Sequence, residues 1–167
     1  MERGMRNEDN ELKEQAVEYF NQAYHSQMQG SLSEAIELYK KSIHLYPTAE
    51  AYTFLGWTYS FQGKLHEAIE ECHHAIQVDP DFGNPYNDIG SYLVELGKPD
   101  EAIAWLEKAK TAKRYEARCF PYFNLGRIYE AKGKWLEALK EYKQALAQNP
   151  GYTMAEKAIL SLQARMN

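Results

Sequence analysis

The sequence predicts an all-α chain of stacked helix–turn–helix units, an α-solenoid. Two observations predict it. A glycine followed five residues later by an alanine recurs in register at Gly30/Ala35, Gly63/Ala68, Gly97/Ala102 and Gly133/Ala138, and these alanines lie 33, 34 and 36 residues apart. Within each unit the apolar residues recur at spacings of three and four, the period of a helix, and no run alternates at the strand period of two. A fixed period of this length means copies of one supersecondary unit, each burying its apolar face against its neighbours. That architecture narrows the function to binding.

The elements follow in order. Residues 8–15 are polar and extend the first helix, with residues 1–7 expected to fray. The first copy, residues 16–48, keeps Tyr19, Ala35, Tyr39 and Pro47 but has Gln22, Ala23 and Ser26 where later copies carry Leu, Gly and Tyr. The second copy, residues 49–82, is the clearest. Tyr52, Leu55, Gly56 and Tyr59 share one helical face, and Gly63 ends that helix because glycine takes the left-handed conformation at little cost. A second apolar stripe runs through Leu65, Ala68, Ile69, Cys72, Ala75 and Ile76 until Pro80 pushes Asp79 out of helical space. The third copy, residues 83–118, has Tyr86, Ile89, Gly90 and Leu93, then Ala102, Ile103, Leu106 and Ala109. The fourth, residues 119–152, has Tyr122, Leu125, Gly126 and Tyr129, then Trp135, Ala138, Leu139, Tyr142, Ala145 and Pro150. Gly56, Gly90 and Gly126 recur where the paired helices pass closest, with Ala68, Ala102 and Ala138 expected opposite them. Residues 153–167 carry a last stripe, Ala155, Ala158, Ile159 and Leu162, and form a C-terminal capping helix.

This pattern resembles the tetratricopeptide repeat: an aromatic, then Leu-Gly and Tyr, then Ala, an aromatic and Pro. The resemblance covers residues 16–152, with four copies in register. Copy three departs from it, having Arg114 where the proline belongs. The two extra residues of that junction, within KTAKRYEARCFP, are expected to form a longer second helix or a longer loop. Its Lys108, Lys110, Lys113, Arg114 and Arg118 are expected to form a solvated basic turn. The resemblance further implies a right-handed superhelix whose first helices line a concave groove for a peptide.

Laid on this chain, the family's groove positions give Phe20, Asn21, Tyr24 and Met28 from copy one, beside Val17. Copy two gives Phe54, Trp57 and Phe61, beside Glu50. Copy three gives Asn87, Asp88 and Ser91, and copy four Phe123, Asn124 and Arg127. Half of the groove is therefore aromatic at positions off the packing stripe, a composition typical of a binding surface. Asn21, Asn87 and Asn124 offer both donor and acceptor to a peptide backbone. Arg127 is the lone base among the groove positions, against Glu50, Asp88, Glu95 and Glu130, so the groove is not built to clamp acidic chaperone tails.

Composition excludes other classes. Net charge is −5, against a nucleic-acid binder. It is unevenly spread: residues 49–82 carry −5 and residues 119–167 carry +3. No apolar run is long enough to span a membrane, and the polar start lacks a signal peptide's core, so a cytoplasmic protein is expected. Cys72 reads as a buried structural thiol, and no disulfide with Cys119 is expected. His66, Glu70 and His74 line up four apart on one helix, a spacing that can bind metal, and are read as a solvated row. No nucleophile–base set, phosphate loop or paired carboxylates are apparent. The chain is expected to be no enzyme, with neither cofactor nor metal. Two functions remain: a peptide-binding adaptor or scaffold whose groove takes apolar or aromatic anchors, and a self-assembly module that joins copies weakly through terminal helices or the charge gradient.

Overall fold

The computed structural model describes residues 2–166. Among them lie nine helices and no strand: α1 (Glu2–Met28), α2 (Leu32–Leu45), α3 (Ala49–Phe61), α4 (Leu65–Val78), α5 (Asn84–Glu95), α6 (Pro99–Thr111), α7 (Cys119–Ala131), α8 (Trp135–Gln148) and α9 (Thr153–Met166). This is the all-α solenoid class that the period predicts. Of the stretch expected to fray, Met1 lies outside the described residues, and α1 begins at Glu2.

The chain divides into two compact units, the first ending at Pro80 and the second beginning at Asp81. In the first unit α1 packs on α2 and α3 on α4, with α2 also against α3. In the second, α5 packs on α6 and α7 on α8, with α6 against α7 and α8 against α9.

Each pair closes through the same turn. Gly30, Gly63, Gly97 and Gly133 all have φ between 71° and 80°, the left-handed region in which other residues are strained. At Gly63, its own N–H reaches the Ser60 carbonyl (2.9 Å) and the Lys64 N–H reaches back to Tyr59 (3.0 Å), the paired bonds of a Schellman cap. The second helices of copies one, two and four end at Tyr46, Asp79 and Asn149, each extended before a proline.

Gly90 and Gly126 meet the large residue one turn beyond the expected alanines, whereas Gly56 meets its expected partner Ala68 first. A Cβ on Gly90 would lie 2.6 Å from the Leu106 side chain, and one on Gly126 2.5 Å from the Tyr142 ring. Gly56 meets the Ala68 carbonyl at 3.0 Å and the Cys72 sulfur at 3.6 Å. The alanines, buried to 0% exposure, admit the helix backbone, and Leu106 and Tyr142, next along the stripe, fill the notches that Gly90 and Gly126 leave.

The junction in copy three is a loop, and of its basic residues Lys108, Lys113 and Arg114 are exposed as expected, while Lys110 and Arg118 are half-buried. α6 stops at Thr111 without a proline. Arg118 caps it instead, its guanidinium donating to the Lys110 and Ala112 carbonyls (both 2.7 Å). The loop then lies along the start of the unit through one isolated bridge, Phe82 to Arg114. The Gly83 N–H donates to the Arg114 carbonyl (3.0 Å) and the Arg114 N–H to that of Asp81 (2.9 Å). Tyr115, 6% exposed, drops against Gly83, where any side chain would collide with it. Lys113 pairs with Asp81 (3.1 Å), Arg114 stacks over Phe82 and Lys108 over Trp105. Lys110 is drawn between Glu107 (3.1 Å) and Glu141 (2.9 Å).

Candidate functional site

In the first unit α1, α2 and α3 meet at one aromatic cluster. Phe54 of α3 is its hub, with ring centroids 5.2 Å from Phe20, 5.8 Å from Tyr24 and 5.0 Å from Trp57. The first two contacts are edge-to-face, the arrangement favoured by the ring quadrupoles. Beneath them Tyr39 of α2 lies 5.5 Å from Phe20 and 6.2 Å from Phe54. Tyr39 is fully buried, its hydroxyl donates to Gln27 Oε1 (2.7 Å), and burial pushes its pKa above the usual phenol value.

Tyr39 explains a departure from the sequence reading. Phe20, Phe54 and Trp57 are half-buried, and Phe20 and Phe54 pack on the core of Ala23, Ala35, Ile36, Tyr39 and Leu55. They are thus partly on the packing stripe, because a whole tyrosine ring reaches up between α1 and α3. Tyr24 (44% exposed), Met28 (57%) and Phe61 (61%) remain open, and Asn21 is exposed. At the start of this face is a cleft of 380 Å³ bordered by Lys13, Val17, Phe20, Tyr46 and Glu50.

The second unit treats its candidates differently. Phe123 is 7% exposed and packs against Tyr142 (5.5 Å) and Tyr152 (5.1 Å), so it belongs to the core formed with α8 and α9. The α9 helix turns Ala155 and Leu162 into that core, and Tyr152 at its entry covers the ring. Asn87 and Asp88 are also buried. Asn124 Nδ2 donates to Asn87 Oδ1 (3.1 Å), and Asn87 Nδ2 to Asp88 Oδ1 (3.4 Å). The two asparagines are therefore joined to each other. Burial, and to a lesser degree the nearby Asp88 charge, pushes the Tyr115 phenol up. Ser91, Asn124 and Arg127, with Val94 and Glu95, line a small polar cavity of 120 Å³. Tyr115 was missed as a neighbour of this region; its one sequence signal was an aromatic in a junction lacking its proline.

The histidine row does not converge. His66 and Glu70 are exposed, while His74 turns to Glu71 (Nδ1 to Oε2, 3.3 Å) and to the ring of Tyr52 (5.3 Å). Burial raises the Glu71 pKa against the opposing pull of His74. Among the described residues no three His, Cys, Asp or Glu side chains gather as a metal site. Cys72 and Cys119 are both buried thiols. Among the described residues no helix is long and apolar enough to cross a membrane.

Known proteins resemble this chain in the same terms. Tetratricopeptide repeat models match residues 49–82 and residues 81–149. The chain is 28% identical over 133 residues to the inactive TPR repeat-containing thioredoxin TTL3 of Arabidopsis thaliana, covering 71% of this chain and 18% of that protein. It therefore spans less than a fifth of that relative's length. It is 27% identical over 120 residues to the photosystem I assembly protein Ycf3 of Prochlorococcus marinus, covering 65% of this chain and 69% of Ycf3. Among solved structures, pilF of Pseudomonas aeruginosa superposes with a TM-score of 0.85 at 20% identity, covering 93% of this chain and 70% of pilF, a likeness of fold alone. YrrB, described as a TPR protein with an unusual peptide-binding site, has a TM-score of 0.67 at 26% identity, covering 94% of this chain and 80% of YrrB. With four repeats in register, the turn glycines at positive φ and these matches together, the chain belongs to the tetratricopeptide repeat family.

Proposed function

We propose that this protein is a protein-interaction module, an adaptor or scaffold without enzymatic activity, that binds a peptide segment on the α1–α3 face through apolar or aromatic anchors. The observation that carries the reading is the cluster around Phe54, which holds Tyr24 and Trp57 in fixed orientation beside the exposed Met28 and Phe61. Rigid aromatic surface costs little entropy to bury and supplies most of the energy in interfaces of this kind. The peptide-binding site for which YrrB is described and the assembly role in the name of Ycf3 support the same class. In the second unit, taken by itself, Ser91, Asn124 and Arg127 are the accessible groove positions, while Phe123, Asn87 and Asp88 are buried.

The test is to select peptides from a displayed random library against the full chain and measure their affinity for wild type, Tyr24→Ala and Phe61→Ala. Weakened binding in both variants supports the face; equal binding in all three contradicts it. Self-assembly is the second reading, favoured by charge: residues 1–80 hold thirteen acids and six bases, residues 81–167 eleven acids and thirteen bases. Light scattering after size exclusion at two salt concentrations separates the two. A monomer in both supports the adaptor, and growth with concentration that salt abolishes supports assembly.

A further inference from the structure

We propose that the cleft at the start of the α1–α3 face is an anchor subsite that takes one large apolar side chain from a basic peptide segment. The inference rests on the peptide-binding reading above and specifies the partner's chemistry.

Polar groups around the cleft are engaged within the chain. The Ser42 hydroxyl donates to the Ala16 carbonyl (2.7 Å). Thr48 Oγ1 accepts from the Ala51 N–H (3.1 Å), capping α3. The Lys13 ammonium pairs with Asp9 (2.7 Å) and lies 4.8 Å over the Tyr46 ring. What the cleft presents is the aliphatic and aromatic surface of Val17, Phe20 and Tyr46, suited to an apolar guest. Its 380 Å³ compares with roughly 150 Å³ for a cavity that holds benzene, so a Phe, Leu or Met side chain fits. Phe20 belongs both to the cleft and to the aromatic cluster, so an anchor seated here continues directly onto Phe54.

Charge selects the flanking residues. From Glu8 to Glu18, α1 carries five acids and one base, and that base, Lys13, is already paired with Asp9. Glu50 borders the cleft from α3. A partner with Lys or Arg around its anchor is attracted and an acidic one repelled.

The experiment uses 16-residue peptides selected from a random displayed library, fluorescently labelled, with affinity read by anisotropy at low and high salt. The expected peptides are basic with a large apolar residue. Changing that residue to Ala weakens binding to wild type at least tenfold, and added salt weakens it further. Val17→Asp, at a position 58% exposed, produces a similar loss that is not additive with the peptide change. The peptide-side change needs no protein variant, so it stands even if Val17→Asp alters the fold. Acidic selected peptides overturn the proposal. So does full affinity after loss of the apolar residue, or an unchanged affinity in a folded Val17→Asp. If Tyr24→Ala still weakens binding in that case, the face survives and the anchor cleft alone fails. If Tyr24→Ala is silent as well, the peptide-binding reading fails with it.

Discussion

The Tyr142 ring fills the space beside Gly126 so closely that a Cβ on Gly126 would lie 2.5 Å from it. The same position in the second repeat, Gly56, faces the smaller Cys72, with its sulfur at 3.6 Å and the Ala68 carbonyl at 3.0 Å. The two glycines occupy one position of the family pattern but carry different steric loads.

Gly126→Ala is therefore expected to destabilise by about 1–3 kcal/mol, as overpacking of a closed core does. Gly56→Ala should fall within roughly 0.5 kcal/mol of wild type, since its tighter contact is offset by the better helix propensity of alanine. Urea unfolding of both variants checks the ordering. Equal costs would mean that the tyrosine ring can swing away.

Lys110 gives a second prediction. Burial works against its charge, but the hydrogen bonds it donates to Glu141 and Glu107 outweigh that and hold its pKa above the ordinary value. Its side chain and that of Glu141 are 10% and 13% exposed. Glu141→Ala should cost roughly 3 kcal/mol, the low end for breaking a buried pair, because Glu107 remains. Lys110→Met combined with Glu141→Leu should cost less than Glu141→Ala alone. Denaturant midpoints of the two variants decide it.

Glu71 gives a pH dependence. Burial raises its carboxyl pKa in the folded chain, so the folded state holds the proton over a range where the unfolded state has lost it. Stability from this group is then present below the unfolded pKa and falls as pH rises through the folded value. Glu71→Gln, which stays neutral, should melt higher than wild type at neutral pH. The difference should close as pH falls toward about 4. A constant difference across that range would mean that the effect is not ionisation.

The repeat, the positive-φ turn glycines and the helix ends before Pro47, Pro80 and Pro150 were legible because each rests on a local rule of backbone geometry. What lay beyond reach was which aromatic covers which. Phe123 and Phe54 hold neighbouring groove positions of the repeat, yet Tyr152 closes over the first, while the second faces Tyr24 and Trp57. Phe123 aligns with the buried Thr53 and Asn87 rather than with Phe54, so its position already faces inward, and Tyr152, just before α9, then packs on it. Asn87 and Asn124 suited a peptide backbone equally well in the sequence; their bond to each other spans 37 residues. In the basic junction the partners of Lys113 and Arg114, Asp81 and Phe82, lie more than thirty residues back along the chain, and Lys110 reaches Glu141 of α8, so no local rule named them.

The central claim is tested most directly by the dissociation constant of a selected peptide for wild type, Trp57→Ala and Trp105→Ala. Melting temperature is followed in parallel, because Trp57 is half-buried on Phe54. Trp57→Ala is predicted to weaken binding by roughly thirtyfold, about 2 kcal/mol, in a chain that still folds, while Trp105→Ala leaves affinity unchanged. A folded Trp57→Ala that binds as tightly as wild type would contradict the account.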